Sequence, residues 1–211
     1  MKAKEDLRIL IACEESQAVC IAFRELGFTA FSCDILECSG GHPEWHLKGS
    51  VVNELYKEWD LIIAHPPCTR LTNSGVCWLE KRNLWEEMYF ACEFFNLFQS
   101  YAKNNNCLVA IENPIPHKYA VEYIGKYNQI VQPYMFGHIE RKATCLWLYG
   151  LPKLKETENV LEEMKSLPKK EQQRIHYLSP GKDRAKLRSK TFPGIAKAMA
   201  KQWGDYLLSE L

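Results

Sequence analysis

The sequence predicts an open α/β fold, and three stretches predict it. Residues 61–64 and 108–111 are short, wholly apolar runs, residues 7–12 are mostly apolar with Arg8 among them, and each stretch ends in polar or proline-bearing residues. Residues 7–12 run into Cys13-Glu14-Glu15-Ser16, residues 61–64 into His65-Pro66-Pro67-Cys68, and residues 108–111 into Glu112-Asn113-Pro114. Such runs read as short strands buried in the middle of a sheet, and the helical periodicity between them reads as crossovers. In open α/β sheets, ligands bind outside the carboxyl ends of the strands. The residues that follow each run are therefore the first candidates for chemistry.

At 211 residues the chain has the size of one domain with a substantial core. Apolar residues make up 46% and charged residues 25%, an ordinary balance for a soluble globular protein, and no apolar run approaches membrane length. Residues 1–8 are charged, and the apolar stretch behind them is too short for a signal sequence. A cytoplasmic location without a membrane partner is the expectation. Nine cysteines in such a chain read as thiols rather than as a disulfide frame. A net charge of +1 argues against a broadly basic nucleic-acid binder but leaves room for a locally basic face. Lys169, Lys170, Arg174, Lys182, Arg184, Lys186, Arg188 and Lys190 supply one; its alternative is a solvated helix face or loop.

In chain order, residues 7–12 are the first strand and 13–16 a turn. Residues 17–26 place Val19, Ile21, Ala22, Phe23 and Leu26 on one helical face, and Gly27 ends that helix. Residues 28–33 read as a second strand ending at Asp34. An acid there, roughly 20 residues after the first turn, commonly bonds a ribose hydroxyl. The first turn has no glycine, and Glu14 and Glu15 would repel a pyrophosphate. A nucleoside carrying a sulfonium and an amino acid suits it better. Residues 39–46 form a loop. Cys33, Cys38, His42 and His46 have the spacing C-x4-C-x3-H-x3-H, faintly like a zinc site. It is not a common structural spacing, and Cys33 should face the sheet interior, so no metal is expected; the alternative is a loop over a ligand pocket, with Trp45 packing.

Two prolines cannot continue a sheet, because each lacks an N–H and has its φ locked. The chain therefore leaves the sheet stiffly after residue 64 and delivers Cys68 just past the strand tip. A thiol held there is a candidate nucleophile, weighed against an inert cysteine in a proline turn. Residues 71–75 are polar and read as a mobile flap. Residues 78–103 read as one helix with Leu84, Met88, Phe95 and Phe98 facing the core, ended by Asn104-Asn105-Asn106. Beyond the strand 108–111, Glu112 and Asn113 would approach Cys68 if the two strands are neighbours; their alternative is a capping acid and a turn asparagine. Residues 117–126 read as a short helix, 129–136 as a strand, 136–142 as a polar turn and 143–149 as the last strand. Residues 152–179 read as a loose polar insert with one weak helix near 160–164. Residues 188–194 lead into an amphipathic helix with Ile195, Ala198, Met199, Trp203 and Leu207 on its apolar side.

Four pieces in order give the chain a resemblance to a known family. They are residues 59–75, with Pro67-Cys68 and the following Ser74-Gly75; Ile111-Glu112-Asn113-Pro114; Phe136-Gly137-His138-Ile139-Glu140-Arg141-Lys142; and residues 191–200. Together they resemble the cytosine-5 DNA methyltransferase family, in particular small phage- or prophage-type members without a full target-recognition domain. The resemblance implies a Rossmann-like S-adenosylmethionine-dependent methyltransferase fold: a mostly parallel sheet with one antiparallel strand and helices on both faces. It also implies three parts: a catalytic core in residues 1–150, a short polar insert in 151–180, and a basic turn and closing helix in 181–211.

For chemistry the resemblance implies that the Cys68 thiolate adds to carbon 6 of cytosine, making carbon 5 nucleophilic enough to take a methyl group. Glu112 would hold the ring at nitrogen 3 and the exocyclic amine. Asn113 would order the Pro66-Pro67-Cys68 turn, and Arg141 would contact the base or the adjoining backbone. Cys13, Glu14, Ser16, Asp34, Ile35 and Pro66 would form the S-adenosylmethionine site, with Asp34 on the ribose and the 13–16 turn at the methionine end. The partner implied is cytosine-containing DNA, with the base flipped into the pocket and DNA methylation of the restriction–modification kind as the setting. The chain departs from the family pattern in its glycine-free first turn, in Gly49-Ser50 where Gly-Asp is usual, and in Thr144 where a second arginine is usual. The short insert implies low sequence specificity, specificity supplied by a separate partner, or a substrate other than duplex DNA. Two further readings stay open: an amino-group methyltransferase, which needs no thiol, and a non-catalytic binding or decoy protein of the same shape.

Overall fold

A computed structural model describes residues 3–105 and 107–210; Met1, Lys2, Asn106 and Leu211 lie outside the described residues, and with Asn106 goes the last residue of the expected helix stop. The strands are β1 (Arg8–Ala12), β2 (Thr29–Asp34), β3 (His46–Lys48), β4 (Leu61–Ala64), β5 (Leu108–Pro114), β6 (Gln129–Val131) and β7 (Thr144–Tyr149). They form one sheet in the order β3-β2-β1-β4-β5-β7-β6. β1 to β5 pair in parallel, and β7 runs antiparallel between β5 and β6. The helices are α1 (Ala18–Glu25), α2 (Val51–Glu54), α3 (Asn73–Lys81), α4 (Trp85–Asn105), α5 (Lys118–Ile124), α6 (Leu161–Ser166), α7 (Lys169–Gln172), α8 (Arg184–Ser189) and α9 (Pro193–Ser209).

The architecture follows from the central strands. Every residue of β4 and all but the first of β1 are buried, so both faces of the sheet need cover. Side chains alternate across a strand. Ile9 and Ile11 face one core with Phe23 of α1 and Met199 and Trp203 of α9. Leu10 and Ala12 face the other with Met88, Phe95 and Phe98 of α4 and Ile124 of α5. Burying each of these large side chains stabilises the fold by roughly 1.5–3 kcal/mol. The result is a mixed α/β protein with helices on both faces of a mostly parallel, Rossmann-like sheet. Strand order reverses between β1 and β4, a topological switch point, and the crevice outside those two tips is where such a sheet accepts a ligand.

Four local expectations are corrected. The single helix over 78–103 is two, α3 and α4. Asn83 adopts a left-handed φ of 51° between them, and the N–H groups of Asn83 and Leu84 donate to the carbonyls of Glu80 and Leu79 at 3.2 and 2.8 Å. That is a Schellman stop with asparagine in the place glycine usually takes. The strand over 129–136 ends at Val131, since Pro133 has no N–H to donate and a short helical turn occupies Pro133–Met135. The loop over 39–46 runs into the edge strand β3. The insert is anchored rather than loose: Leu154 and Met164 are buried, and it carries α7 besides α6.

The flap is the correction that matters for the site. Leu71 is fully buried and Thr72 nearly so, and α3 begins at Asn73. The His117 backbone N–H donates to the Leu71 carbonyl at 2.9 Å. The His117 ring accepts the Ala120 N–H at Nδ1, 3.0 Å, capping α5, so its Nε2 carries the proton that goes to the Arg70 carbonyl at 2.9 Å. The segment behind Cys68 is thus tied at Arg70 and Leu71 to His117 at the start of α5.

Candidate active site

The register of the sheet assembles the site. Ala64 lies opposite Ala12 on one side and Ile111 on the other, so the residues just beyond β4 stand between the tips of β1 and β5. His65 leaves the strand with its N–H on the Ala12 carbonyl at 2.9 Å. Pro66 and Pro67 turn the chain, and the Cys68 carbonyl closes the turn by accepting the Leu71 and Thr72 N–H groups at 3.0 and 3.2 Å. Asn113, 1% exposed, donates from Nδ2 to the Pro66 carbonyl at 2.8 Å. Gly75 is needed nearby: a Cβ there would lie 2.4 Å from the Thr69 carbonyl oxygen, so only glycine lets α3 approach this closely.

Cys68 is half-buried. Burial, and the Glu112 carboxylate beyond it, push its thiol above the ordinary value, while Lys142 and Arg188 pull it back. Glu112 sits inside β5 rather than after it, because β5 continues to Pro114 against β7. His65 Nδ1 donates to Glu112 Oε2 at 2.8 Å. Burial alone would raise the Glu112 carboxyl, but the bond and charge of His65, with Lys142 and the Thr144 hydroxyl, bring it below the ordinary carboxylate value. Burial would likewise lower His65, but Glu112 and then Glu14 outweigh it and raise the imidazole. Lys142 is held low by burial, against the pull of Glu112 and Cys68.

Other residues singled out in the sequence fall elsewhere. Arg141 is exposed, and its backbone N–H donates to the Gln172 carbonyl at 2.7 Å. The cations acting on Cys68 are its neighbour Lys142 and, from α8, Arg188. Glu14 is 4% exposed and caps α1, its two carboxylate oxygens accepting the Val19 and Cys20 N–H groups at 2.7 and 3.2 Å. That use of the helix N-terminus leaves it no room for a phosphate. Cys13 and Gln17 bracket the glycine-free turn, both at φ 59°. Left-handed conformations of this kind cost roughly 1–2 kcal/mol per residue. The surroundings impose them: Gln17, fully buried, donates from Nε2 to the His42 carbonyl at 2.8 Å and accepts the His42 N–H at 3.1 Å.

Ser16 lines a cavity of about 370 Å³ with Glu15, Ser39 and residues of α8. Lys186 of α8 reaches Glu15 at 3.5 Å, and Lys142 Nζ donates to the Lys190 carbonyl at 3.5 Å. The basic segment therefore lies over the strand tips. At the end of β2, Asp34 Oδ1 accepts the Leu36 N–H at 2.9 Å, and Ile35 stands 72% exposed beside it. Pro66 is buried. A larger cavity, about 460 Å³, lies between α9 and residues 136–138 and 157–158; none of Cys68, Glu112 or Asp34 lines it.

The residues of the faint zinc pattern are separately engaged. His46 bonds Ser32 Oγ and the Leu36 carbonyl at 2.9 Å each, His42 stacks on Trp45 at 3.9 Å, and Cys33 is buried. Among the described residues, no group of three or more His, Cys, Asp or Glu side chains is placed to hold a metal ion. Nor, among them, is any helix long and apolar enough to cross a membrane.

Four contributors were given no role at the site from the sequence: His65, Lys142, Thr144 and Arg188. Each lies in a stretch already singled out: His65 directly after β4, Lys142 at the end of the 136–142 motif, Thr144 where a second arginine is usual, and Arg188 in the basic face. The fold and site define an α/β protein with a thiol, a carboxylate–imidazole pair and two cations at one side of the crevice. At the other side are an acid and an exposed isoleucine.

No protein-family model matches the chain, and no curated protein does. Solved structures do match, among them the Entamoeba histolytica methyltransferase EhMeth, at 13% identity and a TM-score of 0.48 over 72% of this chain and 57% of that one. The chain thus spans little more than half the length of that relative.

Proposed function

We propose that the chain is an S-adenosylmethionine-dependent methyltransferase that modifies carbon 5 of cytosine in DNA through Cys68. The observation that carries the reading is the meeting, just beyond the tip of β4, of a half-buried thiol on a braced proline turn with the Glu112 carboxylate, which follows the Ala64–Ile111 pair on the adjacent strand β5. The neighbouring cations Lys142 and Arg188 favour the thiolate, which is the nucleophile.

The cofactor assignment is a question of fit. Glu14 occupies the α1 N-terminus, which disfavours a dinucleotide and suits a ligand without phosphates. Asp34 has a second oxygen free of the Leu36 bond for a ribose hydroxyl, and exposed Ile35 offers an apolar surface for a base. Cys13, Ser16 and Pro66 complete the set, with Glu14 shaping the turn from behind. When bound, S-adenosylmethionine supplies an electrophilic methyl group.

The chain's own residues do the rest. Cys68 loses its proton to solvent, and its sulfur bonds carbon 6 as the ring's double-bond pair becomes available at carbon 5. Nitrogen 3 takes a proton from solvent as the sulfur adds and returns it when the carbon–sulfur bond breaks; Glu112 accepts from that N–H and from the exocyclic amine, with Thr144 and His65 behind it. After carbon 5 has taken the methyl group, its proton leaves to solvent, the carbon–sulfur bond breaks and the thiolate returns. The α8 segment, with Lys182, Lys186 and Lys190 exposed, is suited to the DNA backbone and carries no base code of its own. Sequence preference is accordingly low or supplied by a separate partner.

Transfer of labelled methyl groups from S-adenosylmethionine to cytosine-containing DNA tests this. The wild-type chain should label carbon 5, and Cys68→Ser should not. Label on the exocyclic nitrogen, undiminished in Cys68→Ser, would replace this reading with the amino-group one. No binding of the cofactor by calorimetry would replace it with the decoy.

A further inference from the structure

His65 does more than follow a strand. Its Nδ1 bonds Glu112 at 2.8 Å, and the two side chains are 12% and 13% exposed. Its backbone N–H is committed to β1 through the Ala12 carbonyl. Its Nε2 is buried without a hydrogen-bond partner among the described residues. An unpaired buried polar atom is costly, and a leucine or valine would end β4 without that cost. The hydrogen bond that the ring does make is at its other nitrogen.

A thiol beside a carboxylate is an electrostatic conflict. The Glu112 charge opposes thiolate formation at Cys68, yet the cytosine reading needs both groups. We infer that His65 is a positioning residue that resolves the conflict: it holds one oxygen of Glu112 in place and cancels the carboxylate's charge where Cys68 must ionise. The inference takes from the cytosine reading only the reason for having both groups.

The groups around the ring fit this role. Burial opposes the imidazolium, and so does Lys142 from the turn before β7; Glu112 from β5 and Glu14 from the turn after β1 favour it, and together they raise the imidazole above its ordinary value. Around Cys68 the cations are Lys142 and Arg188, and Glu112 is the anion. With His65 charged, the thiol meets a neutral pair instead of a bare carboxylate. The Nδ1–H bond persists when the ring is neutral, so orientation and charge are separable properties of one residue.

The test uses the full chain without nucleic acid or cofactor. The imidazole signals of His65 are titrated by NMR in the wild type and in Glu112→Gln. Alkylation of Cys68 by iodoacetamide is followed by peptide mass spectrometry in both, and in His65→Asn, whose amide keeps an N–H donor near Nδ1 without a charge. The wild-type midpoint should lie above 6.5 and fall below it in Glu112→Gln. At pH 6.5, alkylation should be slower in His65→Asn by on the order of tenfold and faster in Glu112→Gln. A wild-type midpoint at or below 6.5 overturns the inference, and so does a His65→Asn rate equal to the wild type. Should His65→Asn fail to fold, the wild-type titration still decides. Absence of methyl transfer with both readouts as expected would count against the cytosine reading and leave the role of His65 standing.

Discussion

Replacing Asn113 by alanine should loosen the turn that carries Cys68. Asn113 Nδ2 donates to the Pro66 carbonyl at 2.8 Å, and the asparagine is 1% exposed. Alanine removes the donor and strands a buried carbonyl, which costs about 1–3 kcal/mol. In a chain of this size about 2 kcal/mol corresponds to a melting temperature lower by roughly 4–8 °C. Alanine also leaves the volume of an amide unfilled beneath the proline pair, which gives the turn freedom to move. Urea unfolding would measure the first effect and the iodoacetamide rate at Cys68 the second; the rate should rise as the thiol gains exposure. Stability within about 0.5 kcal/mol of the wild type, together with an unchanged thiol rate, would refute the idea that this bond braces the Cys68 turn.

Two further outcomes follow from the same geometry. Glu112 is held below its ordinary 4.5, so its contribution to stability is present above that pH and fades as pH falls. His65 is held above its ordinary 6.5, so its contribution is full below that pH and fades as pH rises through the folded value. The stability gap between wild type and Glu112→Gln should therefore be widest between about pH 4.5 and 6.5 and narrow on both sides; urea titrations at a series of pH values would show it, and a gap independent of pH would count against the pair. His117→Ala removes the cap of α5 and the bond to the Arg70 carbonyl together, and should cost about 2–4 kcal/mol by urea unfolding. A loss under about 0.5 kcal/mol would mean the segment behind Cys68 is held by other contacts.

Much of the layout was legible in the amino-acid order because its causes are local. Apolar runs mark β4 and the start of β5, a mostly apolar one marks β1, and the proline pair marks the exit toward Cys68. The apolar side of α9 follows from the spacing of Ile195, Met199 and Trp203, all buried. What stayed hidden depends on partners distant in sequence. His117 holds residues 70–71 from 47 positions away in the case of the Arg70 bond, so a polar, glycine-bearing stretch looked mobile. Asn83 stops a helix whose periodicity runs through it, because an asparagine can take a left-handed φ without announcing it. The charges of Lys142 and Arg188 act on the thiol only once β7 and α8 are in place. Glu14, acidic and next to a strand tip, looked like a ligand group, but the bare N–H groups of α1 claim it first.

On the proposed function, Cys68 attacks a pyrimidine ring held by Glu112. Mass spectrometry of the chain after incubation with S-adenosylmethionine and DNA containing 5-fluorocytosine shows whether it does, since fluorine at carbon 5 blocks the final proton loss. A stable covalent adduct on Cys68, absent in Cys68→Ser, is expected. Methylated product with no adduct, or an adduct on another cysteine, would contradict it.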